Sequence, residues 1–285
     1  MSDGFALVLQ GGGIRGAYTA GVLDVLMEHN FWADYVLGVS AGAMNGMNYV
    51  SKQIGRSKSI FIELSSNKKI YSLKNILKCG SIYNFDYLFS GIKEVIVPFD
   101  YERFYENKMR YIACATNLET GRPIYFEKGC AEYDIDLAIK ASASLPLVSK
   151  PVFVGDTPCL DGGVSATIPL KKAMEDGNKK IVVIMTRDAS FQKDENKKNH
   201  LSIAKRRYRD YPHFLEAYRN QNSLYNNCLK YVGECEQKGM VFVIRPKSPI
   251  AIDDVRDKEK IISLYEKGRN DCHNLLTKLE VYLHE

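Results

Sequence analysis

Short, uninterrupted apolar runs alternate with stretches of helical periodicity through the first part of the chain. Residues 5–9 form a compact apolar run, the pattern of a strand buried on both faces. The run gives way to Gln10-Gly11-Gly12-Gly13-Ile14-Arg15-Gly16 and then to an amphipathic helix. Ala17, Ala20, Val22, Leu23, Val25 and Leu26 make its packed face, and Asn30 is its stop. A second apolar run, 33–37, leads into Gly38-Val39-Ser40-Ala41-Gly42, and residues 43–54 can be helical. Strand, glycine loop, helix, strand, turn, helix predicts an α/β fold with a parallel sheet.

The pattern then changes. Residues 57–108 are rich in aromatic and branched side chains without a clean period: Phe61, Tyr71, Ile76, Tyr83, Phe85, Tyr87, Phe89, Ile92 and Phe104 are among them. Lys68, Lys69, Lys74 and Lys78 interrupt them. We read this region as short helices forming a cap beside the Ser40 turn, with ordinary core as the plainer reading of any one aromatic. Regular structure returns as a hairpin over 110–116 and 122–127, a helix over 136–143, and two short strands, 151–154 and 157–160, bracketing a turn. The second of these runs into Asp161-Gly162-Gly163. A helix at 169–175, a buried strand at 180–186, a long tyrosine-rich helix at 211–238 and a strand at 241–244 follow. The tail, 258–285, reads as helix with Gly268 as a joint. No linker, repeat or low-complexity tract divides the chain, so one domain is expected, with its last part, 200–285, mainly helical.

Composition narrows the function classes. With 26% charged and 45% hydrophobic residues the chain is ordinary globular material rather than disordered. A net charge of +5 is compatible with anionic partners but selects none. The densest charge lies in 191–211, with Lys193, Lys197, Lys198, Lys205, Arg206, Arg207 and Arg209. It reads as a solvated face or, less often, a peripheral membrane patch; no nucleic-acid motif accompanies it. The seven cysteines are scattered, form no C-x-x-C pair and no zinc spacing, and point to reduced thiols in a cytoplasmic protein that needs no metal or cofactor. The amino terminus lacks the basic start of a secretory signal, and no stretch reaches the length of a membrane span.

Two glycine motifs carry candidate chemistry. Gly38-Val39-Ser40-Ala41-Gly42, between strand and helix, is the pattern of a nucleophile elbow, which lifts a serine hydroxyl out at the carboxyl edge of a sheet. Gly11, Gly13 and Gly16 spell a dinucleotide fingerprint, but its ribose-binding acid is missing. Asp34 sits at the amino end of the second strand, and the carboxyl end holds Ser40. The loop is better read as exposed backbone N–H groups beside Ser40, able to hold an oxyanion, with Arg15 adding fixed positive charge. A serine nucleophile needs a base. None of the five histidines (His29, His200, His213, His273 and His284) stands in a strand-end, Gly/Asp-rich context, yet His200 and His213 follow Asp161 in the order of an α/β-hydrolase triad. Asp161 on its Gly-Gly turn could instead act alone as base, although a plain turn role is commoner for such a residue. A carboxylate base is expected to stay ionised into mildly acid solution, unlike an imidazole.

Together these elements resemble the patatin family of lipid acyl hydrolases. The resemblance covers residues 1 to about 190. It rests on Gly11-Gly12-Gly13-Ile14-Arg15-Gly16, Gly38-Val39-Ser40-Ala41-Gly42 and Asp161-Gly162-Gly163, with Ala141-Ser142-Ala143-Ser144-Leu145-Pro146 and Lys150-Pro151-Val152 ahead of the last. It implies a three-layer α/β/α fold with a mostly parallel sheet and a Ser40–Asp161 dyad. Gly11, Gly12, Gly13 and Arg15 would form the oxyanion hole, and the substrate would be an acyl lipid. After Gly163 the chain departs from the commonest pattern: Val164-Ser165-Ala166-Thr167-Ile168-Pro169 replaces an Asn-rich segment while keeping the proline. In this it looks more like the bacterial branch than the plant storage proteins. Two other classes stay open: a small-ester or thioester hydrolase with the same elbow, and a non-catalytic lipid-binding protein.

Overall fold

A computed structural model describes residues 4–89, 96–197, 200–252 and 254–285. Met1, Ser2 and Asp3 of the amino terminus, Ile92 of the aromatic region and Lys198 of the basic run lie outside the described residues. The apolar runs are strands of one sheet: β1 (Ala6–Leu9), β2 (Tyr35–Val39), β3 (Arg110–Asn117), β7 (Ile181–Ile184) and β8 (Phe242–Ile244) pair in parallel in the order β3-β2-β1-β7-β8. The expected hairpins are present as β3 with β4 (Pro123–Glu127) and as β5 (Val152–Val154) with β6 (Thr157–Asp161), both antiparallel.

Side chains alternate across the strands, and each face is covered. Leu7, Leu9, Val36 and Ile184 join a core shared with α1 (Gly16–Glu28), α2 (Ala41–Val50), α3 (Arg56–Ser66) and α10 (Lys258–His273). Ala6, Val8, Leu37 and Val183 pack against α7 (Leu170–Glu175) and the long α9 (Pro212–Gln237). The three layers are therefore α/β/α, around a mixed, mostly parallel sheet.

The first helix departs from the amphipathic expectation, since residues 16–27 are all buried. The reason is α10, which lies across the outer face of α1. The two backbones come so close that a Cβ on Gly21 would sit 2.1 Å from the Tyr265 carbonyl oxygen, and one on Gly268 2.1 Å from that of Tyr18. Gly268 is thus not a joint but the contact point of two helices. The break falls after His273, before α11 (Leu276–His284). Polar cross-links reinforce the pair: Tyr265 Oη donates to Asp24 Oδ2 at 2.7 Å, Tyr18 Oη to Asp271 Oδ2 at 3.1 Å, and Arg269 makes a two-pronged ion pair with Glu28 at 2.8 Å.

The aromatic region contains α4 (Leu73–Cys79) and α5 (Tyr101–Glu106). Phe61, Phe85, Leu88 and Phe104 enter the main core, while Leu73 and Leu77 on α4 are 73% and 92% exposed. The seven cysteines are free thiols. Among the described residues no helix is long and apolar enough to cross a membrane.

Candidate active site

The local sequence accounts for the Ser40 turn. β2 ends at Val39, α2 starts at Ala41, and Ser40 between them has φ 54° and ψ −123°, a positive-φ conformation that costs a non-glycine residue free energy. The turn is tight enough to require glycine at position 42, where a Cβ would lie 2.4 Å from the Leu9 carbonyl oxygen. Gly38 lies within β2, and Gly16 opens α1, its carbonyl accepting from Asn45 Nδ2 of α2 at 2.8 Å.

Strand register decides what faces Ser40. β3 has three partners and only two edges. Arg110 N donates to Asp34 ahead of β2, and Leu118 N donates to Pro158 of β6; the even-numbered residues of β3 thus point their N–H groups to one edge. Asn117 N donates to Arg122, on the edge that β4 occupies. So β6 runs in end-on where β2 stops: Val39 is opposite Cys114, and the next β3 residue, Ala115, is opposite Asp161. The strand that ends in Asp161 meets the strand that leads into Ser40 head to head.

The carboxyl end of α6 (Ile135–Ser142) and the residues just after it fix both residues. Ser142 Oγ accepts from Ser40 N at 2.8 Å and donates to Cys114 O at 2.5 Å, while Ser144 O accepts from Asp161 N at 2.8 Å. Thr116 Oγ1 donates to Asp161 O at 2.9 Å. These positioning contacts were not assigned from the sequence, although Ser142 and Ser144 lie in a stretch it singled out. Nothing in a serine-rich helix end says which backbone groups it will meet.

Ser40 is 8% and Asp161 4% exposed. Asp161 Oδ1 accepts from Gly163 N at 2.7 Å, across the Gly162-Gly163 turn. Its Oδ2 is buried without a hydrogen-bond partner among the described residues. Burial pushes the carboxyl up from its ordinary 3.8 to about 6, against the smaller opposing effects of the nearby Ser40 hydroxyl, the Gly163 N–H and the Lys193 charge. The Ser40 hydroxyl is close enough to favour the carboxylate without making a full hydrogen bond to it, an arrangement common in unliganded sites. A value of about 6 brings the carboxyl close to the ordinary imidazole range.

Two cavities meet at Ser40. One is apolar and is lined by Ile14, Met44, Phe61, Leu64, Phe85 and Leu88. The other, more polar, is lined by the Gly11-Gly12-Gly13 loop, Arg15, Asp161, Arg187, Lys193 and Tyr225. Both include Ser40, Gly13 and Ile14. The amides of Gly11, Gly12 and Gly13 donate to no acceptor among the described residues. No histidine lines either cavity. His29 and His273 instead stack edge-to-face, with ring centroids 5.3 Å apart, at the far ends of α1 and α10. The basic run is not one surface. Arg207, in α8 (Leu201–Arg207), donates to the carbonyls of Leu147 and Ser149, and Lys193 turns into the site.

The model of the patatin-like phospholipase family matches residues 7–174, which include the glycine loop, the Ser40 turn and Asp161. The chain belongs to the patatin-like phospholipase family. A second model, a domain of unknown function (DUF6363), matches residues 211–284. Among similar proteins, the uncharacterized protein YjjU of Escherichia coli is 31% identical over 64% of this chain and 51% of its own length. The uncharacterized NTE family protein Rv1063c of Mycobacterium tuberculosis is 26% identical over 58% of this chain and 44% of its own. Lysophospholipase NTE1 of the yeast Meyerozyma guilliermondii is 29% identical over 64% of this chain but 12% of its own. The patatin-like region thus spans about half of these bacterial relatives and a small part of the yeast protein. VipD of Legionella pneumophila is a similar solved structure, with TM-score 0.49 and 12% identity over 97% of this chain and 67% of its own.

Proposed function

We propose that this patatin-like chain is a serine hydrolase of acyl lipid esters, with Ser40 as nucleophile and Asp161 as its base. The observation that carries the reading is the head-to-head meeting of β2 and β6, which sets a buried carboxylate with an unpaired oxygen beside a strained serine. Asp161 takes the Ser40 proton as Oγ attacks the ester carbonyl. The carbonyl oxygen becomes an oxyanion, which the loop amides of Gly11, Gly12 and Gly13 and the positive charge of Arg15 are placed to stabilise. Collapse of the tetrahedral intermediate breaks the ester bond. The proton held on Asp161 passes to the leaving alcohol, and the acyl group stays on Ser40. Water, deprotonated by Asp161, then attacks the acyl-enzyme and releases the fatty acid.

The lining of the apolar cavity, with Phe61, Leu64, Phe85 and Leu88, suits an acyl chain. The aromatic region lends it Phe61, Phe85 and Leu88, which supports its reading as a cap. Exposed Leu73 and Leu77, with Lys74 and Lys78 on the same helix, suit contact with an anionic membrane surface. Seven free thiols suit a reducing, cytoplasmic setting.

The reading is tested with a fluorophosphonate probe and intact-mass analysis, alongside hydrolysis of monoacyl phospholipids. Wild type should gain one adduct and turn substrate over; Ser40→Ala should do neither. Equal labelling of both proteins would refute Ser40 as nucleophile. Lipid binding with no turnover by wild type would make the protein a binder.

A further inference from the structure

The glycine loop needs support that its own sequence does not supply. Glycines have no Cβ to restrict the backbone, so a run of three can turn its N–H groups many ways. Oxyanion donors work well only when their direction is fixed before the reaction. In a planar trans peptide the C=O and the N–H that follows it point in opposite directions, so pinning a carbonyl aims the next amide. Gly11 O accepts from Thr186 Oγ1 at 3.1 Å, which aims the Gly12 amide. Gly12 O accepts from Arg15 N at 3.1 Å, which aims that of Gly13. The loop lies directly on Thr186, since a Cβ on Gly12 would come 2.6 Å from its Oγ1. On its other side it lies against Ser40, whose Cβ would be 3.2 Å from one on Gly11.

Thr186 is held by Gln10, the residue between β1 and the loop. Ala6 and Val8 face α9, and alternation along the strand carries the Gln10 side chain to the same side. Gln10 N continues the ladder, donating to Ile184 O of β7 at 3.0 Å. Gln10 Oε1 accepts from Thr186 N at 2.6 Å and lies 3.2 Å from Thr186 Oγ1, whose one proton is shared between Oε1 and Gly11 O. A backbone N–H can only donate, so Oε1 must be the end that faces Thr186. That turns Nε2 toward α9, where it donates to Tyr225 Oη at 3.2 Å. Gln10, Thr186 and Tyr225 are all buried, which leaves little water to replace a lost partner. A chain of contacts thus runs from α9 through Gln10 and Thr186 to the peptide that presents the Gly12 amide. Tyr225 lies in the region 211–284, which the domain of unknown function covers.

We propose that Gln10, Thr186 and Tyr225 are positioning residues for the oxyanion loop, and that the carboxyl-terminal region, through Tyr225, is a working part of the active site. The inference rests on the acyl-hydrolase reading above and adds what keeps its oxyanion donors aligned. The three residues act on the direction of the loop amides. Their effect is therefore felt where negative charge develops, and not in the binding of the uncharged ester.

The test separates alignment from folding. Tyr225→Phe isolates the hydroxyl: it keeps the ring that Phe191 meets edge-to-face at 5.8 Å and over which the Lys193 ammonium rests at 4.5 Å. Thr186→Val keeps the shape and loses the donor to Gly11 O, whereas Thr186→Ser keeps the donor. Hydrolysis of a short-chain ester is measured per active site, counted by fluorophosphonate adducts, together with inhibition by the matching alkyl trifluoromethyl ketone. Ser40 Oγ adds to the ketone carbon, its proton passes to Asp161, and the ketone oxygen becomes an oxyanion facing the loop. Tyr225→Phe and Thr186→Val should each lower kcat on the order of tenfold, with KM within about twofold, and weaken the ketone by the same factor as kcat/KM. This is less than the roughly 10²–10³-fold cost of deleting a donor, because the donors remain and are only misaligned. Thr186→Ser should recover most of the kcat lost in Thr186→Val. In a Gln10→Met background Tyr225→Phe should have no further effect, because its hydroxyl acts through Gln10. Tyr231→Phe removes another hydroxyl of α9, one that donates to Met174 Sδ, and should leave kcat unchanged. Thermal melts confirm that each variant is folded. An unchanged kcat in Tyr225→Phe or in Thr186→Val overturns the proposal. So does a loss of labelled sites with normal turnover per site and unchanged ketone affinity, the mark of a merely structural role. Wild type that cleaves no ester overturns the hydrolase reading and this proposal with it; active wild type with unaffected variants overturns this proposal alone.

Discussion

If Asp161 is a base raised to working strength by burial, the fold carries a cost that mutation should recover. The folded state holds the Asp161 proton more tightly than the unfolded chain, with a pKa of about 6 against 3.8. Below about pH 4 both states are protonated and the group contributes nothing. As pH rises through 4 to 6 the unfolded chain releases its proton first, so this residue lowers folding stability, and the effect is constant above about 6. The penalty integrates to about 3 kcal/mol at pH 7 and to well under ~1 kcal/mol at pH 4. Asp161→Asn removes the charge but keeps Oδ1 as acceptor for the Gly163 N–H. The variant should therefore be more stable than wild type by about 3 kcal/mol at pH 7, with the gap nearly closed at pH 4, while hydrolysis falls to near background. Urea unfolding followed by circular dichroism at both pH values measures this, with equal m-values as the check that the same surface unfolds. A variant less stable than wild type at pH 7, or a gap that does not change with pH, would refute the account of Asp161. A single histidine variant losing as much activity as Asp161→Asn would refute its role as sole base.

Other expectations are open to direct measurement. The value of kcat/KM should fall about tenfold per pH unit below about 6, as Asp161 takes up its proton. Replacing Phe85 and Leu88 together with serine should lower kcat/KM for long-chain esters on the order of 10-fold or more relative to short-chain esters, because the far methylenes of a long chain would no longer be buried against apolar side chains. Equal loss on both chain lengths would return them to plain core. Gly268→Val should destabilise the protein by roughly 3 kcal/mol or more, because its Cβ would overlap the Tyr18 carbonyl; an unchanged melting temperature would contradict the packing of α1 on α10.

Much of this protein is legible in the chain itself, where the physics is local. Apolar runs bounded by glycine and turn residues predict strands because a strand buried on both faces has no polar side to show. The Ser40 turn is legible because a reversal that tight needs glycine within two residues of the serine, and both motif glycines are there. What joins distant residues was decided by tertiary structure. Asp161 looks like any turn aspartate until β6 pairs with the far end of β3 and carries it to the tip of β2. Its raised pKa comes from that burial, which no local pattern encodes. Gly268 reads as a joint because glycine weakens an isolated helix; its use here is to let α10 touch α1, and only packing shows that. Lys193 reads as one charge in a solvated run. Asn226 holds its backbone and Tyr225 receives its ammonium, both from α9, and those contacts turn it toward Ser40. Charge and hydrophobicity along the chain state what each residue can do, and the register of the strands and the packing of the helices decide which residues do it together.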